Sequence, residues 1–320
     1  MKRWMEIGAF MLIVCSTAFA QGPRIDVVFL LDSTGSMADE IEVVKQRIRE
    51  MISEIALGEP TPDVRFGIVT YRDRGDEYVT KTFELTRDID QIVENLGSIQ
   101  AAEGGDYPES LNEALYVALH DMNWDPEHTT IKLIFLIADA PPHLDYPDDY
   151  DYKEEIQVAL EKWIIVYSIG ASGLDPEGVK VLTEIAEGTE GTFEWLTYED
   201  RFVADDGDTV IVRRRGPEVT FVKGDSTWTA EEGSGFYGMG IRTGKGEMAY
   251  SAETDAAAPG SGAGMEAAGE STNNLDALIT KAIKTEAEKR GVTYEEEDPS
   301  TESTIQSETW GRVKGRFIEF

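Results

Sequence analysis

The chain has 320 residues and a formal net charge of -33, with 62 acidic residues against 29 basic ones, 3 histidines and 1 cysteine. Such a surface repels nucleic acid and anionic membranes and suits high salt or divalent cations. Few histidines and one cysteine leave carboxylates and hydroxyls as the main candidates for site chemistry, and they exclude a disulfide framework.

Residues 1–20, MKRWMEIGAFMLIVCSTAFA, place Lys2 and Arg3 before an apolar segment from Ile7 to Val14 and close on Ala18-Phe19-Ala20. That is the layout of a secretory signal peptide cleaved after Ala20, with an apolar core too short to span a bilayer comfortably. An uncleaved anchor is the competing reading. Val14 stands where a lipoprotein site wants Gly, Ala or Ser, which argues against lipid attachment at Cys15. The expectation is a secreted or periplasmic chain without cysteine, one net negative charge richer after the loss of Lys2, Arg3 and Glu6, and without a transmembrane segment.

IDVVFLLD (25–32) is a near-continuous apolar run of the kind buried on both faces of a parallel sheet. ADEIEVVKQRIREMISEIA (38–56) sets Ile41, Val44, Ile48, Met51, Ile52 and Ile55 on one helical stripe with acids in the first turn. Strands are predicted over 64–73 and 78–86, helices over 88–99 and 109–122, a strand over 131–139 and a helix over 152–162. A strand over 163–171, a helix over 175–187 and a strand over 191–197 complete the alternation. That order predicts a doubly wound, mostly parallel six-stranded α/β sheet, with function at the carboxyl ends of the strands.

Three polar segments fall at those ends: Asp32-Ser33-Thr34-Gly35-Ser36, EGGDYPES with Asp106, and ADAPPH with Asp139 closing its strand. Hydroxyls two residues apart, flanked by carboxylates from neighbouring strand ends, supply the oxygen donors that a hard divalent cation prefers. Taken singly, each residue also reads as a helix cap or loop acid. Their joint placement favours a metal site.

DSTGS resembles the DxSxS signature of the metal-ion-dependent adhesion site (MIDAS) in von Willebrand factor A (VWA) domains, with Thr replacing the first Ser. The resemblance covers residues 24–198 and looks like a bacterial or archaeal secreted type. It implies one Mg²⁺ or Ca²⁺ bonded by Ser36 and Thr34, with Asp32 acting through water and Asp139 as the family's later strand-end acid. Asp106 stands in the segment where the family usually has Thr. A carboxylate there would weaken the cation as an electrophile, strengthen its retention and favour Ca²⁺. The family's mode implies a protein partner offering an Asp or Glu at the open position. Asp39 and Glu40 resemble the acidic pair beside a second ion in integrin-type domains, but read more simply as acids favouring a helix N-terminus. His143 reads as a turn or surface residue.

Catalytic alternatives fit less well. Asp-Ser-Thr-Gly is one residue too long for the Asp-Thr/Ser-Gly of aspartic and subtilisin-type proteases, and no second copy occurs. Thr34 stands where aspartyl phosphatases carry a second acid, and no GxxxxGK[ST] loop is present. The chain therefore reads as a non-enzymatic, cation-dependent protein-binding or adhesion module. A structural or envelope-assembly protein whose cation only stabilises the fold is the alternative, and a metal-dependent hydrolase the third reading.

Beyond residue 198 the pattern changes. Residues 206–253 alternate in short runs broken by Gly-Asp, Gly-Pro and Gly-Lys, which predicts an antiparallel β module. Residues 254–274 are rich in small residues and read as a flexible Ala/Gly linker. Residues 275–291 form an amphipathic helix with Leu275, Leu278, Ile279, Ala282 and Ile283 on one face. The sheet lacks one covering helix, so this segment (273–292) is expected to supply it, making 199–272 an insertion; a separate C-terminal region is the competing organisation. The tail 293–320 reads as acidic and solvated at 294–308, with a terminal strand over 309–320.

Overall fold

All but the first residue of β1 (Arg24–Asp32) are buried. A strand covered on both faces needs a continuous apolar run rather than an alternating one, and that is what the sequence supplies. The computed structural model describes residues 22–105, 107–203, 207–231, 239–243, 246–250, 265–267 and 272–295. After β1 come α1 (Ala38–Ala56), β2 (Asp63–Tyr71), β3 (Thr80–Thr86), α2 (Ile89–Gly97) and α3 (Leu111–His120). β4 (Ile131–Ala138), α4 (Tyr152–Lys162), β5 (Ile164–Gly170), α5 (Pro176–Gly188) and β6 (Phe193–Trp195) follow. They build a six-stranded sheet in the order β3-β2-β1-β4-β5-β6. Every pairing is parallel except that of the edge strand β3.

The pleat divides the core. Val27, Phe29 and Leu31 point to the face covered by α1 and α2, whereas Val28 and Leu30 point to the face covered by α3, α4 and α5. Local chemistry sets several helix starts: Asp88, Asp151 and Asp175 each accept a hydrogen bond from a first-turn backbone N–H.

A second, largely antiparallel sheet follows β6. It contains β7 (Thr197–Val203), β8 (Thr209–Arg215), β9 (Glu218–Lys223), β10 (Ser226–Glu231), β11 (Met239–Thr243), β12 (Gly246–Tyr250), β13 (Met265–Ala267) and β14 (Thr272–Asn273). The order is β10-β9-β8-β7-β13-β11-β12, with β14 also on β7. Phe202, Val210, Val212 and Phe221 form its small core. The three consecutive arginines of β8 are paired with acids, Arg213 with Glu199, Arg214 with Asp200 and Arg215 with Glu194.

The chain leaves the first sheet and returns to it at one point. The Asn274 N–H donates to the Thr197 carbonyl at 3.2 Å, and the Thr197 N–H donates to Asn274 Oδ1 at 2.8 Å. α6 (Leu275–Glu288) then packs beside α1, with Leu275, Ile279 and Ile283 fully buried in the same cluster as β1. The tail departs from expectation at its start: Tyr294 is half-buried and donates to the Ile55 carbonyl, because α1 and α6 leave an apolar seam there. The signal segment, most of the small-residue linker and the terminal strand expected over 309–320 lie outside the described residues. Among those described, no helix is long and apolar enough to cross a membrane.

Candidate functional site

β1 and β4 are parallel neighbours with Leu31 opposite Ile137, so Asp32 stands level with Ala138 and Asp139 follows one residue later at the same carboxyl edge, close enough for its charge to act on Asp32. Asp32 is wholly buried. Its Oδ1 accepts from the Thr34 N–H at 2.9 Å and the Thr34 hydroxyl at 2.7 Å, closing a tight turn, while Oδ2 has no hydrogen-bond partner. Burial, then the charge of Asp139, push the Asp32 carboxyl up to about 7. A single 3-10 turn over Gly35–Met37 carries Ser36 back over the strand ends. Its Oγ lies 3.3 Å from Thr34 Oγ1, and its hydroxyl acts to lower the Asp139 carboxyl. Asp139 is buried too, and burial raises its carboxyl. Four of the five expected residues thus converge. Asp106 lies outside the described residues.

Sequence reasoning missed Glu109. α3 begins at Leu111 with Ser110 at its N-cap, so Glu109 is the last loop residue before the helix. Its N–H donates to the Pro141 carbonyl at 3.0 Å, and its carbonyl accepts from the His143 N–H at 3.1 Å, tying this loop to the one after β4. Glu109 is buried, Oε2 has no partner, and its carboxyl is pushed up to about 9 by burial, then by Asp32 and Asp73. The Tyr71 hydroxyl, also buried without a partner, is raised well above the phenol range by burial and then by Asp32 and Glu109. No local signal in EGGDYPES separates Glu109 from Glu103 and Asp106; the backbone bonds to Pro141 and His143 do. Among the described residues, no three side chains of the His, Cys, Asp and Glu types are grouped so that they could hold a metal ion.

The loop over 99–105 is fastened against this edge. Ala102 donates to the Ser33 carbonyl and Gly35 to the Glu103 carbonyl. Arg72, buried, donates to the carbonyls of Ser33 and Gln100 and pairs with Glu103. Gly104 has φ +81°, and a Cβ there would lie 2.9 Å from Thr34 Cβ and 3.2 Å from Glu109 Oε1. Gly104→Ala is therefore expected to cost about 1–3 kcal/mol, because it combines a left-handed backbone with a clash. Denaturant unfolding checks this, and an unchanged midpoint would show that the loop yields freely.

Two expectations need correction. Glu40 does more than favour a helix terminus: it is buried and accepts from the Tyr198 hydroxyl of β7, and the Tyr198 hydroxyl oxygen in turn accepts from the Ser172 N–H at 3.1 Å. Asp39 is exposed. His143 is not a surface residue but is buried, stacked on Tyr146, with Nδ1 2.8 Å from Asp145 and Nε2 3.4 Å from Asp73. The loop after β4 folds inward over Glu109, carrying the imidazole with it.

A relative from Dictyostelium discoideum, alpha-protein kinase vwkA, is 31% identical over 120 residues, covering 37% of this chain and 19% of that protein. Human von Willebrand factor A domain-containing protein 7 is 33% identical over 120 residues, covering 38% of this chain and 12% of its own length. The chain thus spans less than a fifth of these relatives. Among solved structures, proximal thread matrix protein 1 of the mussel byssus with a zinc-occupied MIDAS motif overlays with a TM-score of 0.43 at 16% identity, covering 54% of this chain and 42% of that one. A family model of the von Willebrand factor type A domain matches residues 26–201, the segment from β1 into β7 that contains the whole strand-end site. The chain belongs to the von Willebrand factor type A domain family.

Proposed function

We propose that this chain binds one divalent cation, Mg²⁺ or Ca²⁺, at the carboxyl edge of β1 and β4 and uses it to hold a protein partner. The observation that carries the reading is Asp32, a fully buried carboxylate beside Asp139 with one oxygen lacking any hydrogen-bond partner. Uncompensated charge in such a place is costly, and a cation between the two strand ends would relieve it. Ser36, Thr34 and Glu109 add oxygen donors of the hard kind both cations prefer. Asp106, from the same loop as Glu109, is retained as a further candidate ligand. When bound, the cation would supply an electrophile for an acidic side chain of the partner.

The proposed role is binding rather than turnover. His143 Nδ1 is engaged by Asp145 at 2.8 Å, and Nε2 lies 3.4 Å from Asp73 without a hydrogen bond, so the imidazole faces these two carboxylates. Export, of the bacterial or archaeal secreted type, is part of the proposal and rests on the arrangement of residues 1–20. The test is capture of envelope proteins on the immobilised chain in Mg²⁺ or Ca²⁺ against chelator. A partner retained in cation, released by chelator and absent with Asp32→Ala is expected. A partner that stays bound in chelator overturns the adhesive reading. Stabilisation of the fold by cation, with no cation-dependent partner, would favour the structural-protein alternative.

A further inference from the structure

From the charge of the loops around the site, we infer that the partner segment presents its acid between lysines or arginines, docking on an acidic, aromatic rim. The inference deepens the binding reading above and rests on it.

The described residues of the five connections at the carboxyl edge, 33–37, 72–79, 98–105 with 107–110, 139–151 and 171–175, carry eleven Asp and Glu against two arginines, Arg72 and Arg74. Neither arginine offsets the field outward. Arg72 is buried and bonded to Glu103 and two carbonyls, and Arg74 pairs with Asp148 and Asp149 while its guanidinium lies over the Tyr146 ring. The outer acids face water: the side chains of Glu77, Asp145 and Asp148 are each more than three-quarters exposed. One bound cation would add two positive charges at the floor and leave this rim negative.

The same loops expose apolar surface. Tyr107, Leu144 and Tyr150 are among the few large apolar side chains that the described residues leave exposed. Tyr150 is stacked on Tyr116 at 3.8 Å, which in turn stacks on His120, so its ring is held in a fixed orientation. The Tyr107 hydroxyl bridges the Gly173 carbonyl and the Asp175 N–H, fixing that ring across two loops. Rigid rings beside exposed acids suit the aliphatic stem and cationic head of Lys or Arg.

A partner offering only carboxylates would approach the cation against this field. A single carboxylate directed at the floor, with basic neighbours over the rim, is favoured by both.

The probes are short synthetic peptides with one central Asp and outer positions of Lys and Arg, of Ser and Gly, or of Glu, plus a basic peptide with central Asn. Binding to the full chain is read by fluorescence anisotropy in saturating Mg²⁺ or Ca²⁺ and in chelator. The basic Asp peptide is expected to bind about tenfold tighter than the neutral one at low ionic strength, the gap closing as salt is raised. The triple variant Glu77→Gln, Asp145→Asn, Asp148→Asn should remove most of that advantage, with thermal stabilisation by the cation reporting that the floor still loads. Central Asn should abolish the dependence on cation. Equal affinity for the three Asp peptides, or preference for Glu flanks, overturns the basic-partner inference and leaves cation-dependent capture standing. Basic peptides that bind equally with Asp or Asn, in cation or chelator, overturn it as unspecific attraction. If no Asp peptide distinguishes cation from chelator, the metal-bridged reading fails and this inference with it.

Discussion

Raising the pH from about 5 to about 9 in chelator should lower the thermal midpoint, and saturating Mg²⁺ or Ca²⁺ should restore most of the loss. Asp32 is pushed up to about 7 from 3.8, and Glu109 to about 9 from 4.5, burial being the leading cause for both. Each folded-state value lies above the unfolded one, so the folded chain keeps protons that the unfolded chain releases. Below about pH 4 both states hold them and nothing is lost. Stability falls as the pH climbs through the interval, and the cost is complete above the folded values. For wholly buried Asp32 this amounts to a few kcal/mol at about 1.4 kcal/mol per unit. The cation competes with those protons, so it should stabilise more at pH 8 than at pH 5. General repulsion among the acids has the same sign, which makes the variant the decisive control: Asp32→Asn should flatten the profile. A variant profile that coincides with the parent's would show that the buried carboxylate does not carry the effect.

Ile279→Ala should destabilise the whole first sheet rather than loosen a tail. Ile279 is fully buried in the cluster that holds Val27, Phe29 and Ile48, although 218 residues lie between the end of α1 at Ala56 and the start of α6 at Leu275. Truncating such a side chain costs about 2–5 kcal/mol through lost transfer energy and the cavity left behind. For a domain of this size the midpoint should drop by roughly 4–20 °C. Lys284 paired with Glu54 and Tyr167 donating to Glu286 fasten the helix further. We accordingly propose that 199–272 is an insertion between the last strand and the last helix of one domain. An unchanged midpoint would mean that α6 docks too weakly to belong to it.

What the sequence revealed depended on whether a feature was local. Asp32 and Asp139 were legible because each follows or ends a buried apolar run, and parallel strands present such ends at one carboxyl edge. α6 was legible from its apolar face and a sheet left short of a cover. Glu109 was not, since EGGDYPES offers three acids and only the backbone bonds to Pro141 and His143 select which one turns inward. Glu40 fits any helix N-terminus, and its burial follows from Tyr198, 158 residues further along the chain. His143 sits in a loop whose polar composition suggests exposure. Its burial comes from the bonds that fold this loop over the α3 N-terminus.

Isothermal titration of Mg²⁺ and Ca²⁺ into the chain at pH 7.5, set beside Asp32→Asn and Glu109→Gln, tests the central claim most directly. The expected result is one cation per chain, binding abolished by Asp32→Asn and weakened at least about tenfold by Glu109→Gln, the loss of one charged ligand. Binding of undiminished affinity in the folded Asp32→Asn variant would contradict the account.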